Sequence, residues 1–155
     1  DRDSNNHIFL NGQDVSQVIR QDQVSMSASV VSSYQAVRTF LVEQQRQMAN
    51  VGGVILDGRD IGTVVLPNAE LKIYQIASVD TRAKRRYLEN QERGLTADLE
   101  LIKKDIEQRD YQDMNRDISP LKQAEDAIVL DTSAMTLQEV VDAVLKLVEE
   151  KIKEV

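Results

Sequence analysis

Val54-Ile55-Leu56-Asp57-Gly58-Arg59-Asp60-Ile61-Gly62-Thr63 is an apolar run that breaks off into two carboxylates, a guanidinium and two glycines. Short continuous apolar runs read as buried parallel strands, because such strands are covered on both faces and do not alternate. Gly52-Gly53 before the run marks the turn that feeds it. Ligands of open α/β sheets sit outside the carboxyl ends of their strands, where Asp57, Arg59 and Asp60 fall. The stretch therefore predicts an α/β fold with a polar site at the end of a strand over residues 54–56, the plainer reading being a strand followed by a polar loop.

Downstream, Pro67-Asn68 signals a turn, and residues 70–77 read as a second strand. Ser78 is placed as the N-cap of a helix that runs to about Arg93 and stops at Gly94. Arg82, Arg85 and Arg86 occupy i, i+3 and i+4 of that helix, so three guanidiniums share a face, commonly a solvated one. Residues 127–131 form a third strand ending in Asp131. Thr136 through Glu139 make a capping box, with Met135 and Val140 as its hydrophobic staple. The final helix is expected to bury Leu137, Val140, Val141, Val144, Leu145, Val148 and Ile152.

Upstream, Asn11-Gly12 between residues 7–10 and 13–15 supplies the two positive φ angles of a type I′ hairpin. His7, the single histidine, reads as a strand-end residue with no acidic partner nearby in sequence. Residues 15–50 look helical in two or three pieces, with Val37, Leu41 and Met48 on the apolar stripe and Arg38, Glu43, Arg46 and Gln47 off it. Within them, residues 25–29 are rich in serine, which suits either close helix packing or hydrogen bonds to a polar ligand.

The helix over residues 98–117 carries the sharpest signal. Its buried stripe of Leu99, Ile102 and Ile106 continues through Arg109, Asp113 and Arg116, so the buried face turns ionic. Ions on a core face cost several kcal/mol each unless paired or liganded. Arg109 can pair with Asp113, which is a purely structural solution; Arg116 then remains as a fork donor suited to phosphate.

Composition narrows the function classes. The 155 residues suit one domain, burying very roughly 70% of the unfolded surface if complete. A net charge of −7 argues against non-specific nucleic-acid binding, which draws on a basic surface. No apolar stretch approaches the ~20 residues of a membrane span, and the lack of cysteine rules out disulfides and thiolate metal sites. A cytoplasmic protein with neither nucleic acid nor membrane as partner is expected.

Asp57-Gly58-Arg59-Asp60-Ile61-Gly62-Thr63-Val64-Val65-Leu66-Pro67 closely resembles the signature of bacterial cytidylate kinases. So do Leu10-Asn11-Gly12-Gln13-Asp14-Val15-Ser16, Arg109-Asp110 with Asn115-Arg116, and Ser119-Pro120-Leu121-Lys122, in the family's order and spacing. The resemblance implies a P-loop nucleoside-monophosphate kinase fold, a three-layer parallel sheet with flanking helices and an inserted, mostly helical nucleotide-binding subdomain with a hairpin. Residues 1–50 would be the remainder of that subdomain and the following helix, and residues 51–155 the core with a lid at about 82–97. One departure stands out: the G-x-x-x-x-G-K loop, its strand and a following Ser-Gly-x-x-Tyr-Arg element occur nowhere in residues 1–155. In the resembling fold that strand lies between those of Leu56 and Ile73, so the chain looks like the last two thirds of an enzyme, with exposed sheet edges expected to self-associate.

By resemblance, Ser29, Arg38 and Asp60 read a cytosine base, and Arg109 and Asp113 lie around the ribose. Arg59 and Arg116 hold the monophosphate, while Arg82 and Arg85, with Arg86, close over the donor phosphates. These arginines are the implied catalytic groups. Asp57 takes the acid position that holds Mg²⁺ through water. The implied reaction passes the γ-phosphoryl group of ATP to CMP or dCMP in a monomeric, cytoplasmic enzyme. An arginine delivered to such a transition state is worth roughly 10³ to 10⁵ in rate. Losing the phosphate loop should cost at least that, so the 155-residue chain alone is expected to be inactive. The alternatives are another monophosphate kinase, for UMP or AMP, and a non-catalytic nucleotide-binding or interaction fragment.

Overall fold

The computed structural model describes residues 7–154. It is an α/β arrangement in which helices flank a small parallel sheet. A hairpin, β1 (Phe9–Leu10) and β2 (Gln13–Asp14), leads through a 3₁₀ turn at Val18–Arg20 into α1 (Asp22–Val31) and α2 (Gln35–Ala49). Asn11 at φ 50° and Gly12 at φ 82° make the expected tight turn. Correcting the expectation for His7, its Nδ1 lies 2.8 Å from Asp14 Oδ2, an acid the hairpin brings back across the turn.

The chain then passes through residues 54–57 without forming a strand, which corrects the first expectation drawn from the sequence. A strand exists only when a neighbour supplies ladder bonds, and among the described residues none pairs with Val54, Ile55 or Leu56. Ile55 is consequently 92% exposed. A π-helical turn, Ile61–Val65, follows Asp60. Such turns occur mostly as single-turn features and are frequent at functional sites.

β3 (Ile73–Ile76) and β4 (Ile128–Asp131) pair in parallel, with Ile73 opposite Ile128 and Ile76 opposite Asp131. Two strands therefore make up the parallel sheet among the described residues, where the expected fold has more. Beyond the ladder, Thr132 donates from its backbone N–H and from its hydroxyl to the Ile76 carbonyl, at 2.8 and 3.1 Å. Between the strands lie α3 (Val79–Glu92) and α4 (Leu99–Asn115), the most extensively packed pair of helices. Ser78 caps α3 by accepting from the Thr81 N–H, and Gly94 at φ 69° follows its end. Asp98 caps α4 by accepting from Glu100 and Leu101. α5 (Leu137–Glu154) opens on the predicted capping box: the Thr136 N–H donates to Glu139 Oε2 at 2.7 Å, and the Glu139 N–H returns to Thr136 Oγ1 at 3.3 Å. Those bonds to the Glu139 carboxylate lower its pKa.

The expected apolar stripes hold only in part. On α2, Leu41 and Met48 are exposed while Arg38 is buried, because an acid from the loop after residue 57 reaches Arg38. On α4, Ile102 is buried and Leu99 exposed. On α5, Leu137, Val141, Leu145 and Ile152 are exposed, and Val140, Val144 and Val148 are half-buried, because the rest of the chain covers only one edge of that stripe. Among the described residues Val65, Ala83 and Ile102 are the buried hydrophobics, whereas Ser16, Arg38, Asp60, Asn90, Asp113 and Thr132 are equally buried polar groups. Much of the deepest interior among the described residues is thus polar. Among the described residues no helix is long and apolar enough to cross a membrane.

Candidate active site

α4 delivers Arg109 and Asp113 to one face, as their i, i+4 spacing requires, and it ends at Asn115, short of the expected residue 117, so Arg116 joins them from the extended residue just past the helix. Asp113 is 2% exposed and acts as the hub. Its Oδ1 accepts from Ser29 Oγ of α1 at 3.0 Å, and its Oδ2 accepts from Arg59 Nε at 3.0 Å. Arg109 Nε stands 3.8 Å from Oδ2, and Arg116 Nη1 3.9 Å from Oδ1. Three guanidiniums face one carboxylate, which leaves a local excess of positive charge. Arg109 bears the strain of that excess: burial, then the Arg59 charge, pull its pKa down against Asp113 and Asp110. Its Nε is buried without a hydrogen bond, and a buried charged donor left unmade is costly.

Arg116 is not the free fork donor expected from the sequence. Its Nε donates to the Ser119 carbonyl at 2.7 Å and its Nη1 to Ser32 Oγ at 2.9 Å, because the chain doubles back immediately after α4. Ser119 sits at φ 50°, uncommon for a non-glycine residue. The Arg116 bond, together with Leu121 N–H donating to the Asp113 carbonyl at 2.7 Å, holds that return in place.

A second buried pair adjoins the first through the chain. Arg38 of α2 donates from Nη2 to Asp60 Oδ2, joining the helix to the residue after Arg59. Asp60 is 4% exposed, and Arg38 Nε is buried with no hydrogen-bond partner. The Asp60 carbonyl starts the π turn by accepting from the N–H groups of Val64 and Val65. Arg46 closes the turn, its Nε donating to the Val65 carbonyl at 3.0 Å and its Nη2 to the Val64 carbonyl at 2.7 Å. Arg46 lies off the apolar stripe of α2, as its spacing predicts, and reaches the turn with its long side chain.

The three arginines of α3 do not converge on one point. Arg82 forks onto Asp110 of α4, at 2.9 and 2.6 Å, with its Nε donating to the Ala77 carbonyl at 3.0 Å. Arg85 Nη2 donates to the carbonyls of Thr132 and Met135, at 2.6 and 2.9 Å, where the chain leaves β4. Arg86 Nη2 donates to the Arg20 carbonyl at 3.0 Å. Asp110 and Ser32 were thus missed as partners, since neither has a pattern that announces a reach across the fold. A cavity of about 170 Å³ lies among α1, α3 and α4, lined by Ser25, Met26, Arg86, Ile102, Ile106 and Arg109 among others.

Asp57 is exposed. Among the described residues no three acidic, histidine or cysteine side chains are grouped to hold a metal ion. One carboxylate nonetheless suits Mg²⁺, which takes one or two carboxylates and completes its shell with phosphates and water.

Ser29, Arg59, Arg109, Asp113 and Arg116 therefore meet in one constellation, Arg38 and Asp60 pair beside it, and Arg82, Arg85 and Asp57 lie outside it. This is a basic, carboxylate-centred cluster on an α/β frame. Residues 2–150 match the family described as cytidylate kinase. The chain is 50% identical over 145 residues to a cytidylate kinase of a Geobacillus species, and 51% identical over 146 residues to that of Bacillus cytotoxicus. It is 51% identical over 145 residues to the cytidylate kinase of Leuconostoc mesenteroides. Each alignment covers 94% of this chain and 65% of the relative, so the chain spans about two thirds of the length of these proteins. The chain belongs to the cytidylate kinase family.

Proposed function

We propose that the protein transfers the γ-phosphoryl group of ATP to CMP or dCMP, giving the diphosphate and ADP, as a monomeric cytoplasmic enzyme. The observation that carries this reading is the Asp113 hub, with Ser29, Arg59, Arg109 and Arg116 around it in a member of this family. Arg59 and Arg116 bind the acceptor phosphate, and Asp113 with Arg109 faces the ribose. Ser29, Arg38 and Asp60 read the base: Asp60 accepts from the exocyclic amine of cytosine, and Arg38 donates to the ring carbonyl. Uracil offers a carbonyl where cytosine has the amine and so opposes Asp60. Arg82 and Arg85, with Arg86, contact the donor phosphates. Asp57 holds Mg²⁺ through water, and the ion when bound neutralises charge on those phosphates. The protein's own contribution is positioning and charge complementarity, with little covalent work.

In the same reading residues 1–50 belong to the acceptor subdomain, 51–155 to the core and 82–97 to a lid. A strand with a phosphate loop, outside these 155 residues, lies against Val54–Leu56 and completes a three-layer parallel sheet. The exposure of Ile55 and of the α5 stripe supports that placement.

The test compares CMP, dCMP, UMP and AMP as acceptors for the full-length protein, by coupled detection of ADP. CMP and dCMP are expected to lead, with UMP and AMP at least about tenfold poorer, the equivalent of one lost hydrogen bond to a charged group. Asp60→Asn should erase the margin over UMP. A wild-type preference for UMP or AMP would overturn the reading. The 155-residue chain assayed alone should form negligible ADP.

A further inference from the structure

Asp110 stands in none of the roles above, yet it occupies the Arg82 fork. Arg82 Nη1 and Nη2 donate to its two carboxylate oxygens at 2.9 and 2.6 Å, an end-on bidentate pairing. Arg82 Nε is meanwhile spent on the Ala77 carbonyl, at the carboxyl end of β3. All three guanidinium nitrogens are therefore engaged by the protein itself. The face of the fork that meets Asp110 is the face that grips a phosphate bidentately, so the two acceptors compete for one set of donors. The pair is about one third exposed on the Arg82 side and one quarter on the Asp110 side, so an incoming anion has access to it. A second ion pair, Lys103 Nζ to Asp80 Oδ1 at 2.5 Å, joins α3 and α4 independently of the first.

We propose that Asp110 is a positioning residue that holds the Arg82 fork against α4 in the nucleotide-free protein and yields it to the donor phosphates. This rests on the assignment of Arg82 to the donor site. Asp110 also adjoins Arg109, whose charge it favours, so releasing Arg82 leaves the Asp110 carboxylate beside the acceptor-site arginine that has a buried N–H without a hydrogen bond.

The experiment measures ATP affinity of the full-length protein by calorimetry for wild type, Asp110→Asn, Arg82→Gln and the double variant. Removing a competing, partly exposed ion pair is expected to tighten ATP binding about fivefold in Asp110→Asn, the equivalent of about 1 kcal/mol. That gain should vanish in the double variant. Asp110→Ser, too short to reach the guanidinium, should reproduce the effect, and thermal melts report whether each variant folds. In the unmodified protein, the Arg82 Nε–H resonance should shift on ATP addition. Weakened or unchanged binding in Asp110→Asn, beside a loss in Arg82→Gln, overturns the proposal alone. A gain that survives in the double variant also overturns it, as does an Arg82 resonance that stays still. Unchanged ATP affinity in Arg82→Gln overturns the donor-site assignment and the proposal with it.

Discussion

Replacing Asp113 by asparagine should destabilise the protein by removing one charge and almost no volume. The amide oxygen still accepts from Ser29 Oγ, so the hydrogen bond at 3.0 Å survives, while Arg59, Arg109 and Arg116 are left facing one another without their common anion. Breaking a buried ion pair from one side costs about 3–5 kcal/mol when both ions are fully enclosed. Asp113 is enclosed, but the Arg59 and Arg109 side chains are 40% and 36% exposed and relax into solvent. Solvent screening lowers the figure to about 2–3 kcal/mol. For a protein of this size class that corresponds to a fall in Tm of about 4–12 °C. Thermal denaturation of the full-length protein, followed by circular dichroism at low salt and again at about 1 M salt, reads the effect. The loss should shrink at high salt, because what remains in the variant is repulsion between partly exposed cations. A change within about 0.5 kcal/mol, the range of an ordinary surface substitution, would refute the hub. So would a loss that salt leaves untouched, since that would point to packing.

Three further outcomes follow from other parts of the structure. The Asp14 carboxyl, held at about 2 first by the Ser16 hydroxyl and then by His7, should titrate near that value by NMR. Its folded pKa lies below the ordinary 3.8, so its stabilising contribution is complete above that value and fades as pH falls toward about 2. Ser16→Ala should move the midpoint up, and a wild-type midpoint near 3.8 would contradict the hairpin geometry. Arg46→Ala leaves two carbonyls of the π turn without their charged donor, and should cost about 1–3 kcal/mol in denaturant melts. Arg46→Lys should restore less than half, having no fork to span both carbonyls, and full rescue would count against the clamp. Ser78→Ala should cost about 1 kcal/mol and speed amide exchange in the first turn of α3; unchanged exchange at Thr81 would show that the cap is idle.

Much of the framework was legible because local rules govern it. Asn11-Gly12 specified the hairpin turn, Ser78 and Gly94 bracketed α3, Asp98 opened α4, and Thr136 with Glu139 opened α5. The ionic face of α4 was visible too, since helical spacing alone puts Arg109 and Asp113 together, although Arg116 lies just past the helix end. What escaped was set by partners distant in sequence. Residues 54–56 have the composition of a strand, but a strand belongs to a pair, and no described neighbour supplies the other half. Periodicity put Leu41, Met48 and Leu145 on apolar stripes, Leu145 among residues expected to be buried, yet all three are exposed, since periodicity identifies a stripe and not what covers it. Arginine was the least legible residue. Arg46 and Arg82 reach past their own helices, and Arg116 reaches from just beyond α4, to acceptors that helical position does not identify. The residue resemblance grouped Ser29 with Arg38 and Asp60, whereas in the structure its hydroxyl is committed to Asp113.

The parallel pairing of β3 with β4 carries a kinetic consequence. Ile73 meets Ile128 across more than fifty residues of intervening chain, so the sheet is a late contact whose loop closure must be met before any ladder bond forms. If α3 docks on α4 first, with Arg82 tied to Asp110, the span still to be closed falls by roughly half. That returns about 0.6 kcal/mol of closure entropy. The helical pair is then a guide for the sheet, and substitutions that loosen it should slow folding more than they speed unfolding. The ion pair at the heart of the proposed donor site thus has a second effect on a different timescale, in the order in which the domain assembles.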